Sequence, residues 1–178
     1  MTDAHIAALL DSYKPGSTGH TAVTLASVAG CRASELVRLK PEHIEIKSSN
    51  LATVFIRGGK GNRDRRIVIS EPSSIQKLSQ IKEATTPGER ILPCKVGSIQ
   101  KSINRHMSNL PGSSGGSLKT EYQSTGFHAI RKNFAQHDFD RYRENHSRQE
   151  SLDYVSNQLG HGAGRDLATL QRYIANIY

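Results

Sequence analysis

Tryptophan is absent from this 178-residue sequence, and aromatic residues make up only 6% of it. An interior must therefore be built from Ala, Leu, Ile and Val. Only two cysteines occur, Cys31 and Cys94, far apart and outside any C-x-x-C spacing. That excludes a disulfide framework and a cysteine-based zinc site, and it fits an intracellular chain. No run of eighteen apolar residues exists, which excludes a membrane-spanning helix. The start, Met1-Thr2-Asp3-Ala4-His5, has neither the basic nor the apolar region of a signal peptide. Acidic residues are also scarce: 16 Asp plus Glu against 24 Lys plus Arg, a net charge of +8. A polyanionic partner follows, with nucleic acid first and an anionic membrane surface second.

What is present reads as one domain over residues 1–178. The low-complexity stretch Pro111–Ser117 (Pro-Gly-Ser-Ser-Gly-Gly-Ser) reads as a flexible loop within it. Apolar spacing predicts helices over 4–10, 18–29 and 33–39. The second of these is apolar almost all round and so is expected to be buried; Gly30 is its expected stop. Alternation then takes over at 43–47, 51–57 and 65–70, which reads as three short antiparallel strands. A glycine-rich hairpin, 58–64, joins the last two. Helices follow over 72–84, 96–109, 126–141, 150–159 and 166–177. The expected class is α+β, mostly α, with one small three-stranded antiparallel sheet.

Reactive residue types stand at special places in this plan. Arg32 follows the buried helix, and Glu35 lies three residues on, so the two can share a face; a local ion pair is the simplest reading. Lys60 is at the hairpin tip among Arg57, Arg63, Arg65 and Arg66. That loop is either a solvated basic turn or a mobile finger for phosphate. His128 and Arg131 form His-x-x-Arg at the edge of the apolar stripe Phe127, Ile130 and Phe134, with Lys132 adjoining. Leu159-Gly160-His161 holds a histidine in a tight turn. Tyr173 flanks the stripe Leu167, Leu170, Ile174 and Ile177, where a structural tyrosine is the plain alternative. Phosphate-binding loops, dinucleotide fingerprints, nucleophile elbows and metal-ligand spacings are all lacking. No metal or cofactor is expected.

Taken in order, these motifs resemble the catalytic domain of the tyrosine recombinase (phage integrase-like) family. The match runs through Arg32 with Glu35, Lys60 in a hairpin, His128-x-x-Arg131, Leu159-Gly160-His161 and Tyr173, and covers the chain from about Gly16 onward. The resemblance implies a helical catalytic core with a small sheet, and site-specific cleavage and rejoining of double-stranded DNA through a 3′-phosphotyrosine. It implies Tyr173 as nucleophile, Arg32 and Arg131 on the phosphate, and Lys60 as proton donor to the leaving oxygen. His128 would assist proton removal, His161 would bond the phosphate, and Glu35 would orient Arg32 or a neighbouring histidine. Arg57, Arg63, Arg65, Arg66 and Lys132 would contact DNA. The family's N-terminal core-binding domain is expected to be absent from this chain. A synaptic tetramer of the full-length protein and a cytoplasmic, nucleoid-associated location are implied as well. The interval from His161 to Tyr173 is longer than the family's usual one, and only five residues follow Tyr173. A type IB topoisomerase, which shares the mechanism, and an inactive DNA-binding relative are the alternatives.

Overall fold

Local sequence signals account for most of the element boundaries. A computed structural model of the chain describes residues 1–59, 64–123, 125–161 and 170–175. Helix α1 (Asp3–Asp11) begins where Thr2 accepts the His5 N–H. Helix α2 (Thr18–Ala29) begins where Ser17 accepts the His20 N–H. It ends at Gly30, whose φ of 56° is a left-handed conformation that costs glycine little. A Cβ there would also collide with the Phe134 ring. Ala22, Val23, Leu25 and Ala26 are fully buried, so α2 is the central helix, as its apolar circumference requires.

Helix α3 (Ala33–Leu36) is shorter than the expected 33–39. The residue before a proline avoids helical conformation, and Lys40, which precedes Pro41, is extended at φ −129°. The Leu39 carbonyl is accordingly taken by the distant Ile91 N–H, at 3.0 Å. A 3₁₀ turn (Pro41–His43) leads into β1 (Ile44–Ser48), β2 (Leu51–Ile56) and β3 (Arg65–Ile69). The strands form one antiparallel sheet in the order β1-β2-β3. Phe55 pairs with Arg66, and Ile56 with Arg65. Ala52, Val54, Ile56, Ile67 and Ile69 point into the core.

Helix α4 (Pro72–Glu83) opens on a proline, and Glu71 caps it by accepting the Ser74 N–H at 2.6 Å. Helix α5 (Val96–Asn109) buries Ile99, Ile103 and Met107. The 111–117 stretch, expected to be a flexible loop, is closed by hydrogen bonds. Pro111 bridges Ser117, and Gly112 N–H donates to the Gly116 carbonyl at 2.6 Å. A short α6 (Leu118–Glu121), not anticipated, follows it. Helix α7 (Gly126–Arg143) packs on α2, and α8 (Arg148–Gln158) packs on α7 and β3. Ser147 and Glu150 form a capping box at the start of α8.

The last expected helix, 166–177, lies partly outside the described residues. Within 170–175 the helical turn ends at Gln171, and Tyr173 sits in the turn after it. The Ala175 N–H donates to the Gln136 side chain of α7, at 2.9 Å, which takes that backbone out of a helix. Leu170 and Ile174 are buried and dock the segment. No helix among the described residues is long and apolar enough to cross a membrane.

Candidate active site

The ends of three helices and one strand converge on Arg131. It lies in the second turn of α7, 1% exposed, with its guanidinium wedged between two helix C-termini. Nη1 donates to the Gly30 carbonyl beyond α2, and Nη2 donates to the Leu159 carbonyl beyond α8, each at 2.5 Å. Carbonyls at a helix C-terminus carry partial negative charge, which suits a cation. They do not neutralise it. Burial, and then repulsion from Arg32 and Arg65, lower the Arg131 pKa to about 10. Its Nε–H is buried and has no acceptor among the described residues.

Arg32 stands at the N-cap of α3. Its Nη1 donates to Glu35 Oε1 at 2.9 Å, and its backbone N–H donates to Oε2 at 2.8 Å. Nη2 reaches the same Leu159 carbonyl that Arg131 uses, at 3.4 Å. The expected Arg32–Glu35 ion pair therefore forms, and Glu35 does more than pair locally. Its carboxylate also receives both Nη atoms of Arg65, at 2.7 and 2.8 Å. This is the fork geometry that favours arginine over lysine. Burial would push the Glu35 carboxyl up; the Arg65 bonds and charge, with Arg32, outweigh it and hold the pKa at about 2.

Arg65 differs from the expectation of a DNA-contacting surface cation. Its side chain is 7% exposed, and Nε donates to the Gln158 carbonyl at 2.9 Å. Strand alternation supplies the reason: Arg65, Ile67 and Ile69 face inward, while Arg66 and Val68 face the other way. The period-2 pattern carried that signal in the sequence. Arg66 and Arg57 are exposed, and both guanidiniums rest on the Phe55 ring, at 5.8 and 5.6 Å from its centre. Lys132 is exposed on α7, near enough to His128 to disfavour its protonation. Lys60 and Arg63 lie outside the described residues.

Gln158 is a residue that sequence reading missed. Its side-chain amide accepts the Val68 N–H at 2.9 Å and donates to the Val68 carbonyl at 3.0 Å. It thereby fastens β3 to the last turn of α8. The turn itself is fully capped. Gly160 N–H donates to the Asn157 carbonyl and His161 N–H to the Ser156 carbonyl, both at 2.9 Å, a Schellman pattern. Gly160 has φ 71°, and a Cβ on it would lie 2.8 Å from Arg65 Cδ.

These supports bring three of the anticipated side chains together around Tyr173. The His161 ring lies 5.0 Å from the Tyr173 ring, and the His128 ring 5.2 Å in an edge-on arrangement. Arg131 Cζ is 5.7 Å from the same ring. Burial, then Lys132, Arg131 and Arg32, lower the His128 pKa and favour its neutral form. The cluster holds three guanidiniums, those of Arg32, Arg65 and Arg131, against one carboxylate, Glu35. It is a place for an anion. Among the described residues no group of three or more His, Cys, Asp or Glu side chains is placed to hold a metal ion.

No protein-family model matches the chain, and no curated protein matches it in sequence. Among solved structures it is similar to the crystal structure of XerA recombinase, with a TM-score of 0.66 at 18% identity. The fold is similar to that of XerA recombinase. The likeness covers 99% of this chain and 60% of XerA recombinase, so this chain spans about three-fifths of that protein's length. At that identity the recombinase likeness establishes architecture: the helical body and the small antiparallel sheet.

Proposed function

We propose that this chain breaks and rejoins strands of duplex DNA as a tyrosine recombinase does, with Tyr173 as nucleophile. One observation carries the reading. Tyr173 is ringed by His128, His161 and Arg131 at a site where guanidiniums outnumber carboxylates and one buried Arg131 N–H lacks an acceptor among the described residues. A tyrosine packed only for structure needs no such surroundings.

A phosphodiester repels nucleophiles by its charge and has a poor leaving group. Arg131 and Arg32 would hold the non-bridging oxygens and stabilise the charge that grows on them in the transition state. His161 would add a hydrogen bond. Tyr173 Oη would bond to phosphorus as the bond to the 5′ oxygen breaks. The phenolic proton would pass to His128, which is kept neutral, and Lys60 would protonate the departing 5′ oxygen. The product is a 3′-phosphotyrosine and a 5′-hydroxyl, and reversal reseals the strand without ATP. Glu35 positions Arg32 and touches no reacting atom. Exchange between two duplexes would take place in a tetramer of such subunits on DNA, in integration or a related rearrangement.

The test is a nicked suicide duplex incubated with the protein and resolved on a denaturing gel. Wild type should form a covalent protein–DNA adduct, and Tyr173→Phe should lose it while still binding DNA. An adduct that survives in Tyr173→Phe would remove the assignment.

A further inference from the structure

A second positively charged pocket lies beside the reactive cluster, between the turn after α3 and the neck of the hairpin. It encloses about 260 Å³ and is lined by Arg38, His43, Phe55, Arg57 and Gly58, with Glu35 common to it and to the reactive cluster. Arg38 is preorganised. Its Nε donates to the Ser34 carbonyl and its Nη2 to the Gly58 carbonyl, both at 3.0 Å. These bonds fix the guanidinium plane against the hairpin neck and leave Nη1 for another partner. The Arg57 guanidinium rests on the Phe55 ring, 5.6 Å from its centre. His43 accepts the Lys40 N–H on Nδ1 at 3.3 Å. Its neutral tautomer therefore carries a hydrogen on Nε2.

The neighbouring carboxylates are all engaged. Glu35 holds Arg65 and Arg32. Glu42 lies 3.8 Å from Lys40 and accepts the Gly88 N–H. Asp64 accepts the Gly58 N–H at 2.7 Å. Among the described residues, Arg38 and Arg57 thus face the pocket without a carboxylate of their own. A planar guanidinium pair beside one aromatic wall matches a phosphate with its sugar.

We propose that this pocket holds a backbone phosphate of duplex DNA, distinct from the phosphate that would react at Tyr173. The proposal rests on the DNA-cleaving reading above and adds a second anchor to it. Arg38 ties that anchor to Gly58, two residues before Lys60 in the sequence.

The experiment is binding of a fluorescent duplex by anisotropy at several salt concentrations. The variants are Arg38→Gln/Arg57→Gln and a control, Lys14→Gln/Lys119→Gln, which removes the same charge elsewhere on the surface. The pocket variant should bind about tenfold more weakly near 0.1 M salt, and its log K against log salt should be shallower by about 1 to 2. The control should change less on both counts. Equal losses in the two variants, or none, would overturn the proposal. Arg57→Gln alone carries the test should the Arg38 change prevent folding, since Arg57 only rests on a ring. Adenosine monophosphate is the second probe. If it binds wild type but not the pocket variant while duplex binding is unaffected, the pocket belongs to a free nucleotide and the backbone assignment falls. The reaction is judged separately on the adduct gel: a wild type without adduct, whose duplex binding still depends on Arg38 and Arg57, would lose the nucleophile and keep this site.

Discussion

Glu35 is the residue on which the electrostatics of the site turn. It is a single buried carboxylate bonded to two guanidiniums, and its pKa is held at about 2 against an ordinary 4.5. A carboxylate with a depressed folded pKa adds stability above its unfolded value and loses it on acidification. That contribution is therefore complete above pH 4.5 and should disappear as pH falls from there towards about 2. Glu35→Gln removes the charge and leaves Arg65 and Arg32 facing a neutral amide. Breaking a buried pair in this way costs about 3 kcal/mol or more. Urea denaturation at pH 7 should show that loss. The variant's stability should also vary less than wild type's between pH 4.5 and the lowest pH at which the fold persists.

At the level of elements, the turn after α8 does two jobs in three residues. Leu159 offers its carbonyl to Arg32 and Arg131, and Gly160 lets the chain reverse while Arg65 passes against its Cα. Gly160→Ala would place a methyl 2.8 Å from Arg65 Cδ on a backbone with φ 71°. Strain at such a position and the contact together should cost about 1 to 3 kcal/mol. Adduct formation should fall further than the folded fraction does, because Arg65 and Glu35 move with the turn. Denaturation and the gel assay on the same preparation separate the two effects.

Much of this scale was legible in the sequence, for identifiable reasons. The helices at 18–29 and 96–109 agree with their expected bounds, because each has a sharp start or stop: Ser17 and Gly30 for one, an apolar stripe ending before Pro111 for the other. The strands were legible from alternation, yet the same alternation was not carried through to Arg65, which was grouped with surface cations by composition alone. Gln158 escaped notice because its role is tertiary: nothing local to α8 marks a side chain that will bond the backbone of β3. The turn at Tyr173 escaped for a similar reason, since Gln136, 39 residues from Ala175, supplies the acceptor that diverts the chain. Of the site, the residue types were legible and their supports were not.

For the whole molecule, stability also depends on Asp138, at the packing of α7 on α8. Burial raises its pKa from 3.8 to about 6, although Arg141 pairs with it and opposes the shift. Its Oδ2 has no partner among the described residues. A raised carboxyl pKa gives stability that is complete below the unfolded value and lost as pH rises through the folded one. The window is from 3.8 to about 6. Asp138→Asn keeps the shape without the charge. Its stability relative to wild type should therefore improve by about 2 kcal/mol between pH 4 and pH 8. Thermal or urea melts of both proteins across that range check it; a constant difference would show that folding does not shift the Asp138 pKa.

The amide of Gln158 has a consequence for how copies of the chain meet. A three-stranded sheet has two borders, and a bare border is a template for a strand from another molecule. Here the β3 border is occupied at Val68 by a side chain that bonds as a fourth strand would. The β1 border is short and irregular between Ile46 and Ser48, and Lys82 Nζ donates to its Ile44 carbonyl at 2.7 Å. Lys47 adds a charge in the same strand. Neither border is free along its length among the described residues, so self-association through a continuous intermolecular sheet at these two strands is disfavoured.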